Sequence, residues 1–106
     1  MKQSRVQEAL AALANETRLD LVRLLMPCGA QGMAQGEIAR HLDISASRLA
    51  FHLTQLEQAG LVAARRESRN VFYAAIAPEI GRVLGFVLHD CCAADPQVSA
   101  CCQKRP

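Results

Sequence analysis

Between Glu37 and Gly60 two helical runs are separated only by Asp43-Ile44-Ser45, and this spacing constrains the fold more than any other feature of the chain. The first run, Glu37 to Leu42, is short. Asp43 and Ser45 supply turn chemistry, because their side chains bond nearby backbone groups in competition with a helix. The second run begins near Ala46, sets Leu49, Leu53 and Leu56 at four- and three-residue steps along one face, and closes at Gly60, where a left-handed cap is needed. A short helix, a tight turn and a longer helix define a helix-turn-helix.

The flanking patterns complete the plan. Val6, Ala9, Leu10 and Leu13 mark one face of an opening amphipathic helix. Asn15 offers an N-cap, and Leu19, Leu21, Val22, Leu24 and Leu25 fill a second helix that Pro27 and Gly29 end. Cys28 to Gly36, with three glycines and no periodicity, predicts an extended loop. Leu61 to Arg66 and Val71 to Ile76 are strand-like runs parted by Glu67-Ser68-Arg69-Asn70, a hairpin length, which predicts a two-stranded wing. Pro78 suits the first turn of a last helix carrying Ile80, Val83, Leu84, Val87 and Leu88 to about Asp90, with Gly81 and Gly85 permitting close backbone approach. The tail from Cys91 to Pro106, broken by Asp95-Pro96, is expected to be irregular.

The expected fold is therefore mainly α with a two-stranded β-wing, a winged helix-turn-helix. Residues 1–90 form the DNA-binding and dimerisation domain and residues 91–106 a cysteine-bearing tail. At 106 residues there is one core to fill. The apolar first and last helices exceed its needs and predict a homodimer surface. The longest apolar stretches are interrupted by Asp20, Arg23, Arg40 or Arg82 before reaching the about 18 residues of a membrane span. With no signal-peptide core at the N-terminus, the expectation is a cytoplasmic chain with no membrane partner.

Twelve Lys and Arg against ten Asp and Glu give a net charge of +2, too small to hold a polyanion by bulk charge, so DNA binding must come from local clustering. In the winged plan the helix after the turn enters the major groove and the hairpin grips the backbone. At about 100° per residue, Ser47, Phe51 and Thr54 point away from the leucine stripe with Arg48 and Gln55 on one flank; with Ser45 at the turn these are the candidate DNA-facing residues. Arg48 suits a guanine edge, Gln55 an adenine, and Ser47 and Thr54 a base or a phosphate. His52 lies beside the stripe and reads as a packed histidine making one hydrogen bond. Arg65, Arg66 and Arg69 cluster at the hairpin, where guanidinium forks fit phosphate or a narrow minor groove. Three phosphates per subunit of a dimer predict a log-log salt slope of about −5 on double-stranded operator DNA, read as an imperfect palindrome.

Four of the five cysteines lie within twelve residues, as Cys91-Cys92 and Cys101-Cys102. Reduced thiolates are soft donors. They would supply three ligands for As(III) or Sb(III), or four in a tetrahedron for zinc or cadmium. Adjacent side chains on a helix diverge by about 100°, so the helix end must unwind for Cys91 and Cys92 to meet one ion. Cys28 reads as a small half-buried apolar residue outside this site. No cysteine lies in Cys-x-x-Cys or before a phosphate-cradling loop, so a thiol enzyme is not expected.

The segments Leu13-Ala14-Asn15-Glu16-Thr17-Arg18-Leu19, Phe51 to Val62, and Arg65-Arg66-Glu67-Ser68-Arg69 resemble the ArsR/SmtB family of metalloregulatory repressors, over roughly residues 8–90. The family's wing usually has Gly where this chain has Ser68. The resemblance implies a dimeric repressor, bound to its operator when metal-free. Paired cysteines that many arsenic-sensing members carry in the helix-turn-helix are replaced here by Gly32-Met33-Ala34-Gln35-Gly36, and of the zinc-type signature on the last helix only His89-Asp90 is present. A subgroup of arsenical repressors is similar at the end of that helix, with a vicinal pair matched by Cys91 and Cys92 and a third cysteine downstream, matched by Cys101 or Cys102. The resemblance thus implies As(III) or Sb(III) as inducer, with no organic cofactor; cadmium, lead, zinc or thiol oxidation acting on the same cysteines is the alternative.

Overall fold

A computed structural model describes residues 2–104. Helix α1 (Gln3–Leu13) turns through Asn15, whose Oδ1 accepts from the Arg18 amide at 3.1 Å, into α2 (Glu16–Leu25). Helix α3 (Gln35–Leu42) ends on Asp43 at φ 52°, a left-handed cap that Asp tolerates, and α4 (Ala46–Gln58) starts on Ser45, whose Oγ accepts from the Arg48 amide at 3.2 Å. Gly60 adopts φ 79°, and a Cβ there would lie 2.6 Å from the Arg5 guanidinium. The expected helix-turn-helix is present.

Leu21, Leu25, Ile38, Leu49, Leu53, Leu56, Leu61, Val62 and Val83 are fully buried, so α2, α3, α4, the start of the wing and the last long helix share one core. On α1 the inward positions are Val6, Ala9 and Ala12, whereas Leu10 is 41% exposed. The predicted stripe was thus rotated toward the larger side chain. Small alanines let α1 sit close to the core, and Leu10 is left outside it.

Two segments depart from the expected secondary structure. The span Cys28 to Gly36 is not an extended loop: Met26–Gln31 forms a 3-10 helix kinked at Gly29, whose φ of 63° and ψ of −154° are non-helical, and Met33–Ala34 forms strand β1. Strand β1 pairs with β3 (Asn70–Ala75), which pairs with β2 (Val62–Glu67), so the wing belongs to a three-stranded antiparallel sheet of order β1-β3-β2. Gly32 makes this possible. Its φ of 70° and ψ of −156° are open essentially to glycine alone, and a Cβ would fall 2.1 Å from the Tyr73 carbonyl oxygen. The hairpin loop itself is only Ser68-Arg69, since Glu67 and Asn70 already pair, and Ser68 takes φ 57° where glycine is the ordinary occupant.

The second departure is in the tail. After α5 (Ala77–Phe86) a π-helical turn, Val87–Cys91, widens the helix end, with the Cys92 amide donating to the Val87 carbonyl at 3.0 Å. Ala93 and Ala94 then take left-handed φ values of 52° and 53°, and α6 (Pro96–Gln103) follows. Asp95-Pro96, read as a breaker, is an N-cap followed by a first-turn proline: Asp95 Oδ1 accepts from the Gln97 amide at 2.8 Å. Nothing lies within 4 Å of a Cβ built at Gly81 or Gly85, so the close approach expected there does not occur within the described chain.

Candidate nucleic-acid interface and thiol cluster

Ser45, Ser47, Arg48, Phe51 and Thr54 are all exposed along one side of α4, opposite Leu49, Leu53 and Leu56. Phe51 is 57% exposed, an unusual expense of apolar surface on an outer face. Thr54 Oγ1 donates back to the Ala50 carbonyl at 2.9 Å, which fixes its rotamer and leaves its methyl and lone pairs outward. Gln55 is placed differently. It is half-buried and lines a cleft with Glu8 and Ala12 of α1, Arg18 of α2, and Gln58, on the α1 side of α4.

His52 is buried, as its place beside the stripe predicted, and it is the sole buried polar residue among the described ones. Arg18 explains it. Arg18 Nε donates to the Ala12 carbonyl at 2.6 Å and Nη1 donates to His52 Nδ1 at 3.0 Å. Guanidinium has no lone pair to offer, so Nδ1 accepts and the imidazole is neutral with its proton on Nε2. Burial holds the His52 pKa below the ordinary imidazole value, and the charges of Arg18 and Arg48 push it the same way. One side chain thereby joins the end of α1, the start of α2 and the middle of α4. The signal available in the sequence was a polar residue beside an apolar stripe, which demands a partner without saying which.

The three wing arginines are not equivalent. All three are exposed, but Arg66 and Arg69 make no side-chain bond among the described residues. Arg65 lies over the Phe72 ring at 5.0 Å and donates to Glu67 Oε2 at 3.1 Å.

Cys91, Cys101 and Cys102 are exposed and Cys92 half-buried, and all four are free thiols. The first pair sits where the π turn gives way to Ala93-Ala94, the second in the last turn of α6. Among the described residues no group of three or more His, Cys, Asp or Glu is gathered as a metal site, so the four sulfurs do not converge on one point within this chain. Cys28 is half-buried and donates to the Leu24 carbonyl at 3.5 Å, apart from the other thiols in sequence and on a different helix. No helix among the described residues is long and apolar enough to cross a membrane.

A compact helical core, a capped turn feeding an exposed helix, and a β-hairpin beside it define a winged helix-turn-helix domain, and a helix-turn-helix domain family model matches residues 13–65. The chain is 37% identical over 71 residues, 67% of its length, to the transcriptional activator HlyU of Vibrio cholerae, and 33% identical over 96 residues, 90% of its length, to a "Probable mercury resistance operon repressor" of Streptomyces lividans. An ArsR-like transcriptional regulator from Rhodococcus sp. RHA1 superposes with a TM-score of 0.74 at 25% identity, covering 94% of this chain and 92% of that one. This chain belongs to the ArsR/SmtB family of transcriptional regulators, whose members are not enzymes. It spans 63% of the length of HlyU and 73% of the Streptomyces protein.

Proposed function

We propose that a homodimer of this chain represses transcription by occupying an imperfect palindrome in double-stranded operator DNA, and releases it when As(III) or Sb(III) is captured by the C-terminal thiols. Ser45, Ser47, Arg48, Phe51 and Thr54 face the major groove. Gln55 reaches it only from the flank, and the wing that carries Arg65, Arg66 and Arg69 lies over the adjoining backbone. Leu10 on α1 and Leu84 on α5, 41% and 60% exposed, supply the apolar surface that a second copy covers.

The observation that carries the sensing half is the placement of the thiols. Cys91 and Cys92 end a helix that has already widened into a π turn, a feature that recurs at functional sites. Ala93, Ala94 and Asp95 join them to α6, which carries Cys101 and Cys102, and the two alanines are left-handed, each costing about 1–2 kcal/mol in that conformation. This connector is poised to rearrange. Arsenous acid and three thiols give a pyramidal tris-thiolate and three waters, with no change in oxidation state. Closing that pyramid draws α6 back onto the end of α5 and shifts the dimer helices, so the spacing of the two reading heads changes. A second reading keeps the DNA and the thiols but takes a soft divalent ion such as mercury, which the name of the Streptomyces relative favours.

Fluorescence anisotropy of a duplex from upstream of the gene tests the proposal. Wild-type protein should bind and then be released by arsenite, whereas a Cys91→Ser/Cys92→Ser protein should bind and stay bound. Release of that double variant by arsenite would refute the site; release of the wild type by Hg(II) but not arsenite would favour the second reading.

A further inference from the structure

Arg65 is exposed, but its guanidinium is bonded within the chain. Its Nε and Nη2 donate to Glu67 Oε2 at 3.3 and 3.1 Å, its Nη1 donates to the Ala30 carbonyl of the 3-10 helix at 3.3 Å, and its guanidinium stacks on Phe72 at 5.0 Å. The strand register explains why. Arg65 is paired with Phe72 and Phe72 with Ala34, so all three share one face of the sheet, the face over which the 3-10 helix lies. Side chains alternate along a strand, so Arg66, paired with Val71, points to the other face. Val71 and Arg69 line a cleft of about 290 Å³ with Gln35 and Ala39 of α3 and Ala46 and Leu49 of α4. That is the side of the wing that adjoins the helix-turn-helix.

On the reading that this chain binds DNA, we propose that Arg65 is a positioning residue, bracing the wing against the 3-10 helix, and that phosphate contact falls to Arg66 and Arg69. To reach a phosphate, Arg65 would have to abandon a carboxylate, a carbonyl and an aromatic face, or bring the Glu67 charge toward the polyanion with it. Paired with Glu67 on the surface of the wing, it carries its own counter-charge and so releases no counterion when DNA binds.

The test is the salt dependence of operator binding together with hydrogen exchange of the free protein. Each phosphate contact contributes about −0.9 to the log-log slope, so Arg66→Ala or Arg69→Ala, acting in both subunits, should flatten it by about 1.8. Arg65→Ala should weaken binding several-fold at every salt concentration with the slope unchanged. Arg65→Lys should behave like Arg65→Ala, because an ammonium keeps the charge but not the planar fork. In both Arg65 variants, amides of residues 26–31 and 70–75 should exchange faster without DNA. A slope that flattens in Arg65→Ala as in Arg66→Ala, or wild-type binding and exchange in Arg65→Lys, would overturn the brace. If wild-type protein bound no duplex, the operator reading would fail, while unchanged exchange in Arg65→Ala would overturn the brace independently.

Discussion

Replacing Arg18 by Met keeps the aliphatic stem and removes the guanidinium, leaving the Ala12 carbonyl and His52 Nδ1 without the donor they share. Hydrogen bonds to charged groups contribute about 1.5–3 kcal/mol each. Ala12 and His52 are 7% and 8% exposed, so water reaches either poorly, but Arg18 itself is only half-buried and the lower end of that range applies. The expected loss is about 3 kcal/mol, against a total of about 5–15 kcal/mol for a domain. At about 4–8 °C per kcal/mol this lowers Tm by roughly 12–24 °C. Urea and thermal unfolding measure it, with the m-value as a check on two-state behaviour. A double-mutant cycle with His52→Leu isolates the pair and should give a coupling of at least about 0.5 kcal/mol. A Tm within a few degrees of wild type, or zero coupling, would refute the claim that Arg18 ties α4 to α1. At temperatures where the variant is still folded, operator binding should weaken with its salt slope intact, because the reading helix is mis-set while its phosphate contacts remain.

Three further outcomes follow from the same structure. The lowered His52 pKa means that below about pH 6.5 the unfolded chain binds a proton that the native state resists, so stability should be full above that pH and fall as the solution is acidified toward the folded pKa; pH-dependent melts of wild type and His52→Leu should show part of the acid loss missing in the variant, and identical profiles would contradict this origin. Gly32→Ala should cost more than Gly29→Ala: both positions have positive φ, but a Cβ at Gly32 meets the Tyr73 backbone at 2.1 Å while one at Gly29 meets nothing within 4 Å, so circular-dichroism melts should separate them by at least about 1 kcal/mol. Leu84→Glu should leave the protomer folded but shift sedimentation from dimer to monomer, and an unchanged dimer would remove α5 from the interface.

The helical framework was legible because it is written in local chemistry: Asn15, Ser45 and Gly60 each cap where their side chains or backbone freedom dictate. Strand β1 was not legible, since two residues carry no periodicity and their pairing with Tyr73 and Phe72 depends on a partner 40 positions away in Met33↔Tyr73. The tail departs from its expected irregularity because Asp-Pro signals both a break and a helix start, and only the hydrogen bonds from Gln97 and Val98 decide between them. At the candidate interface the outward side of α4 followed from the leucine stripe, and so did the burial of His52. Two features did not follow from spacing. Gln55 faces the α1 cleft because a residue on the flank of the stripe is claimed by whichever helix packs there, and Arg65 parts company with Arg66 only once the register assigns them opposite faces.

Linkage offers the most direct test of the central claim, that thiol capture and DNA grip are one equilibrium. If arsenite weakens operator binding by some factor, operator DNA must weaken arsenite binding by the same factor, and a coupling of about 1–3 kcal/mol makes it roughly 5- to 150-fold. Arsenite affinity, followed by thiolate-to-arsenic absorbance with and without saturating operator duplex, should differ by that amount and in that direction. Equal affinities in the two titrations would mean that the cysteines bind without speaking to the helix-turn-helix.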